Sequence, residues 1–246
     1  MRLDAPLMSF GAPMVDNFGV VQDVPALSML TGLLGNALGY EHGQWEALDR
    51  LQERLHFAVC RERTGEKLRD FQTVDFSQGS DDLKVAKRVG WTTRGRVEER
   101  AGSNDTLREK HIRHRDYWAD ALYRVALTLD PAAEAPTLDH LATALAEPER
   151  PLFIGRKPCL PSGPLLEGRT VATSLVAALE ALEPLGEGDA RAVWWEEGEA
   201  EVAGHSVLLT MADERDWRSQ LHGGQRLVRR SILRRSQRRE ASDEQS

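Results

Sequence analysis

From Ser77 to Arg115 the chain loses the alternation and the helical spacing of apolar residues that mark it on both sides, while glycine and basic residues rise. A connection of this length is too long for an ordinary link between two elements. Aperiodic loops of that size are functional or disordered. The flanking segments must therefore build a fold that tolerates a large insertion.

Ahead of the insertion, Arg2–Met8 reads as a short strand, and residues 9–25, with Gly11, Pro13, Asn17, Gly19 and Pro25, read as a loop. Ser28 is placed to cap a helix reaching about Tyr40. Gly32, Gly35, Ala37 and Gly39 lower the intrinsic propensity of that helix or leave it bare. Glycines kept in such a helix serve a close approach, either of another backbone or of a ligand phosphate. Trp45–Leu55 is an amphipathic helix with Trp45, Leu48, Leu51 and Leu55 on one face. His56–Arg63 alternates as a strand, with Phe57 and Val59 on one side, and Leu68–Phe76 reads as its hairpin partner.

After the insertion come a strand at Tyr117–Leu129, stopped by Asp130-Pro131, a helix at Leu138–Ala146 and a compact apolar strand at Leu152–Ile154. The expected fold class is α+β: a ferredoxin-like β-α-β-β-α-β domain over residues 1–159 with a basic insertion at about 77–115. The same skeleton serves RNA-binding modules that present a four-stranded sheet. Residues 160–224 read as a smaller β-rich lobe, with a helix at Val171–Leu182, strands at Ala192–Glu196 and Ser206–Met211, and turns at Glu187–Asp189 and Gly198–Gly204. Residues 225–246 form a basic, then polar tail, helical or disordered.

Net charge is −7, which argues against a nucleic-acid partner, but its distribution argues the other way. Residues 84–115 carry ten Lys/Arg against four Asp/Glu, and residues 226–239 carry seven Arg and no acid, which leaves the rest of the chain at −20. Two cationic surfaces on an acidic body are one reading, and two solvated stretches that bind nothing are the other. Cys60 and Cys159 are the only cysteines and stand far apart, so reduced thiols in a cytoplasmic protein fit better than a disulfide framework or a zinc site. Residues 1–30 lack the pattern of a signal peptide, and the most apolar stretch, Leu27–Tyr40, is too short to span a bilayer.

Several segments, taken in order, resemble the CasD family of the type I-E CRISPR Cascade complex. They are Arg2-Leu-Asp-Ala-Pro-Leu-Met-Ser-Phe-Gly11, Ser28-Met-Leu-Thr-Gly-Leu-Leu-Gly35, Asp70-Phe-Gln-Thr-Val74, Trp91-Thr-Thr-Arg-Gly95, His111-Ile-Arg-His-Arg-Asp-Tyr117 and Pro151-Leu-Phe-Ile-Gly-Arg-Lys-Pro-Cys159. Asp216-Trp217 and the region of His222-Gly223-Gly224 match more loosely. The resemblance implies a ferredoxin-like domain of the repeat-associated superfamily and a role in binding the 5' handle of CRISPR RNA. It implies a thumb-like insertion that passes over the RNA, and contacts with the large subunit and a neighbouring backbone subunit. Target DNA is then met only through the complex. No cofactor is implied, and cleavage of the precursor RNA falls to a different subunit.

Gripping single-stranded RNA takes phosphate neutralisation and flat side chains that stack on splayed bases. In the insertion Arg94, Arg108, Lys110, His111, Arg113 and Arg115 supply charge or hydrogen bonds, and Trp91 supplies a plane, or else anchors the loop on the core. Gly95 suits a tight turn at the tip of the insertion. Arg156 and Lys157 follow a strand, where superfamily members place RNA-facing loops. Ser9 and Asn17, in the first loop, are placed either to contact RNA or to shape turns. His111-x-x-His114 is a poor metal pair, because cations flank His114 and no further ligands stand near, so no metal is expected. Metal-free RNA cleavage needs a base and an acid around the scissile phosphate. Lys110, His111 and Tyr117 are the residues for that alternative, a metal-independent endoribonuclease acting on precursor CRISPR RNA.

Overall fold

The first strand is split. The computed structural model describes residues 1–12, 18–41, 43–75, 89–91, 97–99, 110–185, 190–200, 202 and 204–234; at 73–75, 89–91, 97–99 and 110–112 only the backbone is described. Arg2–Asp4 forms β1 and Leu7–Met8 forms β2, with Pro6 between them. The expected strand Tyr117–Leu129 breaks at the matching point, into the end of β8 (Lys110–Ala119) and β9 (Leu122–Leu129). Asp120, at φ 53°, turns the chain there, and its amide donates to the Pro6 carbonyl at 3.2 Å. β1 pairs with β9 and β2 with β8, both antiparallel, so two sheets diverge from one pair of kinked strands.

Helix α1 (Leu27–Ala37) begins one residue before the expected cap. Ser28 is inside it, and the capping group arrives from far along the sequence. Asp213 accepts the Leu27 amide through Oδ2 at 3.0 Å and the Ser28 amide through its carbonyl at 3.0 Å. Buried residues occur all round α1, as befits a helix packed on several sides. Its glycines serve packing. A Cβ on Gly35 would lie 2.5 Å from Leu48 Cδ2, and one on Gly32 would lie 3.2 Å from the Trp217 ring. α2 (Trp45–Arg54) follows as expected, and β4 (Leu55–Arg63) leaves its end directly.

β4 is not half of a hairpin. It lies between β9 and β10 (Ala190–Glu196), both antiparallel to it, whereas β5 (Glu66–Asp75) pairs with β8. The buried pattern of β4 accounts for its central place. Phe57 and Val59 enter the main core with Leu30 and Leu34 of α1 and with Leu141 and Leu145 of α3 (Leu138–Ala146). Ala58 and Cys60 enter a second core with Trp195 and with Val176 and Leu179 of α4 (Leu175–Glu180). Alternate residues of one strand thus feed two apolar layers.

Leu152–Ile154 is not a strand. Its neighbourhood still touches β1, but through Ser162, whose amide donates to the Asp4 carbonyl at 2.8 Å, and Leu165, whose carbonyl takes the Arg2 amide at 2.8 Å. The helix expected at Val171–Leu182 shortens to α4, capped by Ser174. The larger correction concerns the tail. Arg226–Arg234 is β14, an interior strand between β10 and β11 (Val207–Met211). Val228, Ser231 and Leu233 point inward, and the arginines between them are absorbed locally. Arg226 forks onto Asp213, Arg229 pairs with Glu197 at 2.7 Å, and Arg230 lies 5.4 Å over the ring of buried Trp194. Three arginines of the second basic run are thus spoken for within the sheet.

The full order of the six-stranded sheet is β1-β9-β4-β10-β14-β11. It belongs to a unit of Met1–Pro13, Val21–Leu68 and Tyr117–Ser246, so a boundary at residue 160 does not separate compact units. The other unit comprises Met14–Val20 and Arg69–Asp116. It contains β3 (Phe18–Gly19), parallel to β8, and an antiparallel hairpin of β6 (Val89–Trp91) and β7 (Val97–Glu99). Among the described residues, no helix is long and apolar enough to cross a membrane.

Candidate nucleic-acid interface

In the larger unit the site grows from one tight crossing of backbones. Gly155 has φ +94°, which only glycine adopts without strain, and a Cβ there would sit 1.7 Å from the Ser9 carbonyl oxygen. The Ser9 amide donates to the Ile154 carbonyl at 3.1 Å. The loop beyond closes on itself, Ile154 donating to the Cys159 carbonyl at 2.8 Å and Cys159 to the Arg156 carbonyl at 2.9 Å. Cys159 is buried beneath the loop, and that burial pushes its thiol pKa up.

This crossing presents Arg156 and Lys157. The Arg156 guanidinium lies 5.0 Å over the Tyr117 ring, a cation–π distance, while Lys157 is exposed. Ser9 itself is 1% exposed, and its hydroxyl has no hydrogen-bond partner among the described residues. The structure therefore places Ser9 under the turn as its support and leaves the outer surface to the two cations. Tyr117 is only 3% exposed, so a ring proposed for acid–base work is closed off from solvent.

In the smaller unit, Arg113 and Arg115 lie on β8 with half-buried side chains. Strand alternation sets them on the face opposite His114 and Asp116. The sequence presents these four as one run; the strand divides them. On the His114 side, the Arg69 guanidinium grips Asp116 through two bonds, of 2.7 and 3.1 Å, which raises the arginine pKa further and fixes the head group. His114 stacks on Phe18, and Phe71 meets His114 edge-on. Sequence reasoning passed over Arg69, Phe18 and Phe71. The one available signal was the two-residue spacing of Arg69 and Phe71 in a polar strand.

Lys110 and His111 lie on β8 and Trp91 on β6, with side chains outside the described residues. Asn17, Arg94 and Arg108 fall outside them altogether. Among the described residues, no group of three His, Cys, Asp or Glu side chains is placed to hold a metal.

The comparisons with known proteins cover nearly the whole chain. The family model described as CRISPR-associated protein (Cas_Cas5) matches residues 1–229. The CRISPR system Cascade subunit CasD of Escherichia coli (strain K12) is 31% identical over 216 residues, covering 87% of this chain and 86% of that protein. A chain of a CRISPR RNA-guided surveillance complex superposes with a TM-score of 0.65 at 25% identity, covering 95% of this chain and 88% of the other. A crystal structure of a Cas protein shares the fold, with a TM-score of 0.59 at 23% identity over 95% of this chain and 93% of that one. This chain's sequence and its mixed α+β architecture of mainly antiparallel sheets agree with these matches, and the chain belongs to the CRISPR-associated Cas5 family.

Proposed function

We propose that this protein is a non-catalytic, cytoplasmic subunit of a Cascade-type complex that holds the 5' handle of CRISPR RNA and joins the large subunit to the backbone. Target DNA meets it only through the assembled complex. The observation that carries the reading is the Gly155-Arg156-Lys157 turn, a cationic loop packed backbone to backbone against Ser9 in a chain of the Cas5 family. Backbone clamping matters because phosphate contacts set register, and a loop that wanders loses that register. In the smaller unit, Arg113, Arg115, Trp91, Arg94, Arg108, Lys110, His111 and Asn17 are the further residues proposed to contact RNA. The sheet supports the family fold. With Ser162–Leu165 beside β1, the order from that segment through β1 and β9 to β4 supports a ferredoxin-like reading, in which the first and third strands lie in the middle.

The test is binding of the full chain to repeat-derived RNA, followed by fluorescence anisotropy across a salt series. Tight binding that weakens steeply with salt is expected. The triple variant Arg94→Ala, Lys110→Ala, Arg113→Ala should bind at least tenfold more weakly, and unchanged binding would remove those residues from the site. Incubation with a repeat hairpin in chelator should leave the RNA intact. A single cut that disappears in His111→Ala would replace the scaffold reading with the endoribonuclease.

A further inference from the structure

One face of the smaller unit carries more than charge. Arg69 and Phe71 are alternate residues of β5, His114 and Asp116 are alternate residues of β8, and Phe18 stands opposite His114 in the register of β3 and β8. Strand alternation puts each pair on a single face, and their mutual contacts make that face continuous. Phe18 and His114 stack with ring centroids 4.8 Å apart and planes 8° from parallel. Phe71 meets His114 at 5.5 Å and 68°. The Arg69 guanidinium lies 5.6 Å over Phe18 while its nitrogens hold Asp116.

These rings are ordered yet wet. Phe18 is 43% exposed and Phe71 57% exposed. The exposed part of an apolar ring gains nothing for folding, and neighbouring rings pack against the rest at set angles. The chemistry of the patch selects its occupant. Arg69 is already matched by Asp116, so the pair beneath the rings is balanced and the phenyl rings themselves offer an uncharged surface. An apolar area of two phenyl rings is small beside the ~800 Å² that each partner contributes to a stable protein interface. A flat, neutral heterocycle of one ring system fits both the size and the polarity.

We propose that Phe18, His114 and Phe71 form a stacking platform for one unpaired base of the guide RNA. The base lies on the open surface of Phe71, and the Phe18–His114 stack holds that ring at its angle. The Arg69–Asp116 pair braces the platform from below without competing for the phosphate. This inference rests on the RNA-binding reading above and adds a base contact to its phosphate contacts. It also makes the sheet face, distinct from the Arg156 turn and from Arg113 and Arg115, a place where sequence-tolerant affinity arises.

The experiment uses the full-length protein and repeat-derived single-stranded RNAs, each with 2-aminopurine at one position. Leaving the stack of neighbouring bases for a phenyl ring changes the emission of the fluorophore. One position should respond strongly on binding, and Phe71→Ala should abolish that response and weaken binding roughly 5- to 150-fold, the range for losing one base–aromatic stack. Phe71→Trp should restore both, which separates stacking from simple loss of fold; thermal melts of the variants supply the fold control. RNA bound at wild-type affinity with an unchanged emission response in Phe71→Ala would overturn the platform and leave the RNA-binding reading intact. Failure of the wild-type chain to bind RNA would overturn both. If Phe71→Ala spares RNA binding but abolishes RNA-free association with another subunit, the face belongs to a protein partner and the proposal falls.

Discussion

Gly155 and Ser9 touch backbone to backbone, with no room between them for the single carbon that distinguishes alanine from glycine. The turn that presents Arg156 and Lys157 exists only because residue 155 has no side chain and accepts φ +94°. Gly155→Ala must move the Ser9 strand end or flip the loop. A loss of roughly 1–3 kcal/mol in urea denaturation is expected from the strained backbone alone. RNA affinity should fall with it, measured at a temperature where the variant remains folded.

Asp213 serves two partners at once, the amides at the start of α1 and the fork of Arg226. The carboxylate is fully buried, and the guanidinium nearly so. Asp213→Ala leaves a buried cation without its main counter-charge and a helix start without its acceptor. A destabilisation of about 3–5 kcal/mol is expected. The double variant with Arg226→Met should be milder than the sum of the two single changes, because the stranded charge is gone.

Groups whose pKa values are raised by burial lower stability in alkali, Cys60 and Tyr123 most, with Cys159 and Tyr40 acting in the same sense. Burial pushes the Cys60 thiol up to about 12 from 9.0, helped by neighbouring Glu62, and burial pushes the Tyr123 hydroxyl up to about 12 from 10.0. Both keep their protons in the folded chain after the unfolded chain has lost them. Their contribution is therefore complete below the unfolded values and is lost as pH rises toward the folded ones. Unfolding free energy should fall above about pH 9, with Cys60 alone giving a slope of ~1.4 kcal/mol per pH unit. Urea titrations at stepped pH check this, and Cys60→Ala should flatten the slope between about pH 9 and 10, ahead of tyrosine ionisation. At neutral pH, Cys60 should resist thiol reagents until the protein unfolds.

Arg156 is held over Tyr117, and a second cation follows it. If each meets one phosphate, Arg156→Ala and Lys157→Ala should each weaken RNA binding uniformly across sequences. Each should also lower the slope of log affinity against log salt by about 0.7, the value for one contact on a single strand. Arg156→Lys should keep the slope but lose the ring contact, so its deficit should persist at high salt.

Most of what periodicity encodes was legible. Helix α2, strand β4, helix α3 and strands β10 and β11 stand within a few residues of where apolar spacing put them. The failures share a cause: they depend on partners distant in sequence. Ser28 has the chemistry of a cap, but Asp213 occupies that role from the other end of the chain. Arg226–Arg234 reads as a solvated basic run because nothing local shows that Asp213, Glu197 and Trp194 await its arginines. Leu68–Phe76 reads as a hairpin strand, yet β5 takes β8 as its neighbour, a choice made by tertiary contact. At the proposed site, Arg156 and Lys157 are expected in a loop after a strand; the structure gives the loop without the strand, because Leu152–Ile154 pairs with no neighbour among the described residues as a strand would. The Phe18–His114–Phe71 cluster was not legible, since its three rings come from three separate strands.

The interior position of β14 has a consequence for synthesis on the ribosome. Its neighbours β10 and β11 are both made earlier, and the gap between them is filled by Arg226–Arg234. The sheet therefore cannot close in the order in which it is translated; α1, made among the first elements, must wait for Asp213 to complete its cap and for Arg226 to steady Asp213. Nascent chains stalled before Arg226 should remain open to protease across Ala190–Met211, and protection should arrive abruptly once Arg234 clears the exit tunnel. The six-stranded sheet thus closes only after its late-made interior strand has been supplied.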